Sequence, residues 1–278
     1  MAGKHREVTA KYIFTTASSG NHGRSVAAGA KLFGNRCVIF LPKFTSADKE
    51  AAIRARGADV IRVDGDYDTA VAECRRQAAA KGWTIISDTS WEGYDAIPRS
   101  VMRGYTVLVE EVVRQWPDAP THVFVQAGVG GLAAAVIGYL WAVLPKRPIF
   151  IVVEPESADC WFQSNRAGKP TLASGNADTV MGGLACREIS PVTWPIIGLA
   201  ADWFMTIEED QVLPARRLFG CTCTMPTVPR PWGGCLCAQA TTSSISLAAT
   251  CNASLRSAIG VGPACASMPL TVQSYQRM

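Results

Sequence analysis

The sequence predicts an α/β fold, with parallel strands covered on both faces by helices. Two observations predict it. Uncharged or nearly uncharged apolar runs of strand length, such as Cys37–Leu41 and Trp83–Ile86, alternate with stretches of helical period. Strands that are apolar throughout, rather than at every second residue, are those buried on both sides. Composition agrees, since 278 residues at 48% hydrophobic and 18% charged can bury a sizeable core in one large or two modest domains.

The elements follow in order. A β-rich run, Lys11 to Thr16, feeds the small-residue turn Ala17-Ser18-Ser19-Gly20. A helix is expected from Asn21 to Phe33, with Val26, Ala27, Ala30 and Phe33 on one face and Asn21 as its N-cap. Gly20 and Gly23 would let the backbone approach a ligand. Arg36–Leu41 is a strand, stopped by Pro42. Ser46 opens a helix through Arg56, closed by Gly57. Asp59–Val63 is a strand, Asp66–Lys81 a helix ended by Gly82, and Trp83–Ile86 a strand. The polar and aromatic segment Ser87–Tyr94 then breaks the rhythm just past a strand end, where open α/β sheets bind ligands.

A long helix spans about Ile97 to Gln115, followed by a strand over Thr121–Gln126 and the turn Ala127-Gly128-Val129-Gly130-Gly131. The helix Leu132–Leu144 and the strand Ile149–Val153 come next, the latter running into Glu154-Pro155. Residues 168–183 read as loop, and Asp202–Ile207 as one more strand. Val123–Leu144 is free of charge and long enough to cross a bilayer. Its glycines and its change from strand to helix composition instead mark a buried strand, turn and helix, so no membrane partner is expected.

Charge and cysteine are unevenly spread. Residues 214–278 hold five Arg and no Lys, Asp or Glu, so the net charge of +4 belongs to this tail. The rest carries 22 basic against 23 acidic groups, which gives no footprint for a nucleic-acid partner. Six of the ten cysteines lie after position 220, while Cys37, Cys74, Cys160 and Cys186 are scattered singly, as buried thiols in a reducing compartment would be. The opening Met-Ala-Gly-Lys-His-Arg-Glu is charged, and no secretory leader is expected in it. A cytoplasmic setting is expected. Sixty-five residues without a carboxylate or lysine read as a tail not selected to fold. The competing reading is a metal or disulfide module on Cys221-x-Cys223 and Cys235-x-Cys237, whose spacing is a weak zinc signal.

Two turns carry the chemistry. Ser18-Ser19-Gly20-Asn21-His22 lies between a strand and a helix, and equally fits an ordinary βα turn. Gly128-Val129-Gly130-Gly131 sits in the same context, where successive amides and the helix dipole make a phosphate cradle. Gly128-x-Gly130-x-x-Ala133 also matches a dinucleotide fingerprint, with Glu154 in place for the ribose. Close packing alone is the third possibility.

The order of Ser18–His22, Leu41-Pro42-Lys43, Gly57–Val60, Gln126–Leu132 and Val153-Glu154-Pro155 resembles that of fold-type-II pyridoxal-phosphate (PLP) enzymes, the tryptophan-synthase-β-like fold. More narrowly, Gly20-Asn21-His22-Gly23-Arg24, Asp88-Thr89-Ser90-Trp91-Glu92-Gly93-Tyr94, Gln126–Gly130 and Met181-x-Gly183-Leu184-Ala185-Cys186 resemble the diaminopropionate ammonia-lyase family. The resemblance covers about residues 10–212. It implies a small cofactor-facing α/β domain over 10–95, part of a large α/β domain over 96–212, and an aberrant tail, expected to be disordered, over 213–278.

The resemblance further implies pyridoxal 5′-phosphate as cofactor and a small amino acid as substrate. Asn21 would meet the ring oxygen, and the amides of Gly128, Val129, Gly130 and Gly131 would hold the phosphate. Asp88 would take the substrate's α-proton. Ser19 stands where relatives place an Asp serving the opposite enantiomer, and resembles the reprotonating Ser of serine racemases. His22 would be a structural part of the turn. The implied reaction is α,β-elimination from 2,3-diaminopropionate to pyruvate and ammonia, in a homodimer. The family's Schiff-base lysine precedes the first turn by some tens of residues, and Lys4 and Lys11 do not match its segment. An incomplete fold, truncated at its N-terminus and catalytically inert, is therefore one alternative. A Rossmann-type nucleotide-binding module is the other.

Overall fold

The structure, a computed structural model, describes residues 6–212 and 273–276. Contacts divide the chain into two compact units, Met1–Asp88 and Thr89–Met278.

The first unit begins with the single turn α1 (Arg6–Thr9). It is built on the parallel strands β1 (Ile13–Ala17), β2 (Arg36–Pro42), β3 (Asp59–Val63) and β4 (Thr84–Ile85), in the order β3-β2-β1-β4. Helices α2 (Asn21–Phe33), α3 (Ala47–Arg54) and α4 (Tyr67–Lys81) make the crossovers. The five residues Cys37–Leu41 of β2 are buried because β2 is flanked by strands on both sides and by helices on both faces. Ala27, Ala30 and Ile53 pack on one face of this sheet, and Ala70 and Cys74 on the other. The chain moves outward from β1 to β3 and returns to pair β4 with β1, Thr15 opposite Ile85. The β1–β4 seam is therefore a topological switch point, where carboxyl-end loops diverge and leave a crevice.

The second unit places β5 (His122–Gln126), β6 (Ile149–Pro155), β7 (Trp203–Ile207) and β8 (Gln273–Gln276) side by side in that order. The first three are parallel and β8 is antiparallel to β7, a departure from the all-parallel expectation. Helices α5 (Ala96–Gln115), α6 (Gly131–Val143), α7 (Cys160–Ala167) and α8 (Trp194–Ala200) complete the unit. The uncharged run Val123–Leu144 resolves into β5, the glycine turn and α6. Ala133, Ala134, Ile137 and Leu140 of α6 enter a core with Val125, Phe150, Val152, Trp161, Ile197 and Phe204. Burying a side chain the size of Leu140 or Ile137 contributes about 2 kcal/mol each. No helix among the described residues is long and apolar enough to cross a membrane.

Burial explains three of the scattered cysteines, Cys37, Cys74 and Cys160; Cys186, expected to be buried, is only half-buried. Burial pushes the Cys37 thiol up to about 12, with Asp59 adding to the effect, and raises Cys74 and Cys160 as well. These thiols act as small apolar side chains. The expectation of an unfolded tail over 213–278, and the competing cysteine module within it, lie outside the described residues except at β8, where four tail residues form a strand.

Candidate functional site

In the first unit the turn after β1 and the segment after β4 project from the same end of the sheet, because the two strands are parallel and adjacent. Asn21 is the first residue of α2, and Gly20 holds the N-cap position without a side-chain capping bond. The expected cap is thus corrected. Gly20 bridges the turn with extended backbone and a weak bond to the Ser18 hydroxyl at 3.4 Å, so the Asn21 amide group is not spent on the helix end. Gly23 is required by an internal contact rather than by a ligand, since a Cβ there would lie 2.1 Å from the Ser18 carbonyl oxygen. Ser19 sits between these two constraints.

His22 Nε2 lies 2.8 Å from the Ile86 carbonyl oxygen. A carbonyl only accepts, so the ring nitrogen donates. Together with the Ile86 amide on the Thr15 carbonyl at 2.8 Å, this bond fixes the path of the chain two residues before Asp88. This contact agrees with the structural part expected of His22. Asp88 itself is half-buried.

In the second unit the glycine turn is held from behind. The Trp161 indole N–H donates to the Gly128 carbonyl at 2.9 Å. The Ser190 amide donates to the Val129 carbonyl at 2.9 Å, and the Thr193 hydroxyl shares its single proton between the Ser190 carbonyl at 2.6 Å and the Val129 carbonyl at 3.1 Å. A trans peptide points its N–H opposite to its C=O. Anchoring the Gly128 and Val129 carbonyls therefore turns the Val129 and Gly130 amides the other way. The Gly130 carbonyl accepts from Ala134 as the first bond of α6, and Gly131 opens the helix. The Val129, Gly130 and Gly131 amides have no hydrogen-bond partner among the described residues. Three such donors at a helix N-terminus suit a phosphate.

The glycines are needed for this shape. Gly130 has φ +99°, and a Cβ on it would meet Trp161 Cζ2 at 2.4 Å and Thr193 Oγ1 at 2.9 Å. A Cβ on Gly128 would press on Cys186 Sγ at 3.1 Å and the Gly183 carbonyl oxygen at 3.2 Å. The Met181–Cys186 segment, read from sequence as a separate motif, thus forms the wall against which the turn is packed. These contacts leave no room behind the turn and direct its open side away from them.

Glu154 is fully buried at the end of β6. Its Oε1 accepts the Trp161 amide and its Oε2 the Phe162 amide, each at 2.8 Å, and the Cys160 thiol lies 3.5 Å from Oε1. Burial outweighs these bonds and pushes the carboxyl up to about 8. A carboxyl group buried and committed to the start of α7 cannot read a ribose, so the dinucleotide reading loses its acidic residue.

Trp161, Ser190 and Thr193 were not legible as site residues. The glycine pattern pointed to the turn, but no spacing marks the side chains that anchor its carbonyls from α7 and from the loop before α8. The Trp91 and Tyr94 rings, stacked with centroids 3.9 Å apart, brace the loop that follows Asp88. No cluster of possible metal ligands occurs among the described residues.

The profile of the family described as pyridoxal-phosphate dependent enzyme matches residues 1–229, and so runs past position 212, where the motif resemblance stopped. The diaminopropionate ammonia-lyase of Escherichia coli K12 is 39% identical over 214 residues, covering 76% of this chain and 54% of the relative. Serine racemase from Rattus norvegicus is 31% identical over 206 residues, covering 73% and 58% respectively. A crystal structure of the Escherichia coli ammonia-lyase in complex with D-serine superposes with a TM-score of 0.72 at 36% identity, over 83% of this chain and 58% of that one. The chain spans about half the length of the ammonia-lyases it matches.

Proposed function

The chain belongs to the pyridoxal-phosphate-dependent enzymes of fold type II, and on that premise we propose that it serves as a PLP-dependent ammonia-lyase acting on 2,3-diaminopropionate or a closely related amino acid. The observation that carries the reading is the set of outward amides at Val129, Gly130 and Gly131, with their carbonyls anchored behind. Bound PLP supplies an electron sink for the charge left when an α-proton departs.

The chain's own residues take the roles of holding the phosphate and ring and of moving the α-proton; a Schiff-base lysine is not among them. The Val129, Gly130 and Gly131 amides, in the turn that Gly128 opens, hold the phosphate, where fixed dipoles need no reorganisation. Asn21, free of capping duty, donates to the ring oxygen. Asp88 would take the α-proton; elimination would release the β-amine as ammonia, and water would hydrolyse the freed enamine to pyruvate and a second ammonia. A base must stand within hydrogen-bond reach of that proton, and the His22–Ile86 bond supports its placement. Ser19 acts on the opposite face. A hydroxyl is a far weaker base than a carboxylate, so the D-isomer is the poorer substrate. A homodimer in the cytoplasm follows the resemblance.

Pyruvate release from L- and D-2,3-diaminopropionate in the presence of PLP tests the reading. L-isomer turnover that is lost in Asp88→Asn, with D-isomer turnover gained in Ser19→Asp, supports it. No pyruvate from either isomer contradicts it and favours the inert alternative.

A further inference from the structure

Trp161 is completely buried, stacked on Trp194 with ring centroids 6.0 Å apart, and its backbone amide is held by Glu154. If it served only to fill the core, its N–H would need no particular acceptor beyond satisfaction. Instead the acceptor at 2.9 Å is the Gly128 carbonyl, the peptide whose other end is the Val129 amide. The same ring covers Gly130 so closely that only a hydrogen fits there, with Cζ2 2.4 Å from the position of a Cβ. One side chain therefore fixes both the direction of the first outward amide and the left-handed backbone of the next residue.

We propose that Trp161 is a positioning residue for the phosphate cradle, aiming the Val129 amide by holding the Gly128 carbonyl back. The inference rests on the reading of Gly128–Gly131 as a phosphate site and adds the device that shapes it. Because the effect acts through the phosphate alone, it separates a ligand with that group from the same ligand without it. A residue that only stabilised the fold would affect both alike.

The test compares dissociation constants for pyridoxal 5′-phosphate and pyridoxal, with melting temperatures recorded alongside. Wild type is compared with Trp161→Phe and with a protein carrying benzothienylalanine site-specifically at 161. The latter keeps the bicyclic ring and removes only the N–H, so it serves if the Phe variant fails to fold. Loss of the anchor leaves the half-buried Gly128 carbonyl only the Cys160 thiol, 3.7 Å away, and a cradle free to turn, so PLP is expected to bind about 10-fold more weakly. Pyridoxal binding is expected to stay unchanged. Equal weakening of both ligands, or of neither, overturns the positioning role. A wild type that does not prefer PLP over pyridoxal overturns the phosphate reading itself, and the role of Trp161 with it.

Discussion

The hydroxyls of Ser90 and Ser190 lie 3.0 Å apart although the residues are separated by 100 positions in sequence. Both are buried. The Ser90 amide donates to Ser190 Oγ at 2.8 Å, and the Val192 amide donates to Ser90 Oγ at 2.9 Å. Ser190 in turn donates its own amide to the Val129 carbonyl. The pair thus ties the loop carrying Trp91 and Tyr94 to the glycine turn.

Removing one hydroxyl strands its partners, which costs about 1–3 kcal/mol, whereas removing both deletes the network. Ser90→Ala and Ser190→Ala are each expected to lower the melting temperature. The double variant should cost less than the sum of the two, by roughly 1 kcal/mol. Additive losses measured by denaturant unfolding would show that the hydroxyls act independently.

Gly130→Ala combines a positive φ with a Cβ placed 2.4 Å from Trp161. The expected cost is about 3 kcal/mol or more, with PLP binding lost. Gly138→Ala is the control, since a Cβ there meets Ile196 at an ordinary 3.7 Å. Its unfolding midpoint is expected to remain near or slightly above that of wild type.

His22→Phe keeps a ring of similar size and removes the donor to the Ile86 carbonyl. Stability is expected to fall by about 1 kcal/mol. Turnover should fall further than occupancy by PLP, because the chain reaching Asp88 is loosened. A variant with unchanged turnover would separate His22 from the placement of Asp88.

Glu154 gives the protein a pH dependence of stability. Its folded-state pKa is raised to about 8 against an ordinary value of 4.5. Between these values the folded chain binds a proton that the unfolded chain has released, so stability falls as pH rises through this window. Each fully differing proton contributes about 1.4 kcal/mol per pH unit. Urea unfolding at pH 5 and pH 8 should show the decline, and Glu154→Gln should flatten it. A steeper decline in the variant would reverse the assignment.

Much of the fold was legible. The buried strands β2 and β6 and the half-buried β5 are apolar runs that punctuation by Pro and Gly delimits within a residue or two. Helix α4 was legible at both ends, because Asp66 accepts from the Thr69 amide and Gly82 takes the left-handed close. Helix α3 ends earlier than Arg56, at Arg54, since the chain tightens through Arg56 and Gly57 before Gly57 turns. Short α7 was missed because Cys160–Ala167 mixes buried Trp161 and Phe162 with polar residues and owes its start to Glu154, which lies outside the segment. β8 was missed because its partner β7 is distant in sequence.

The candidate site divides in the same way. Backbone-driven features such as Gly130 left a mark in the sequence, since only glycine fits them. Side chains that shape the turn from elsewhere, Trp161 and Thr193, left none. The Asn21 cap and the glycine-plus-Glu154 dinucleotide fingerprint were local readings that tertiary contacts overrode.

A crystal structure of the protein with pyridoxal 5′-phosphate is expected to show phosphate oxygens within about 3 Å of the Val129, Gly130 and Gly131 amides, with the Trp161–Gly128 bond intact. Phosphate density elsewhere, or a glycine turn whose carbonyls face the ligand, would contradict the phosphate reading.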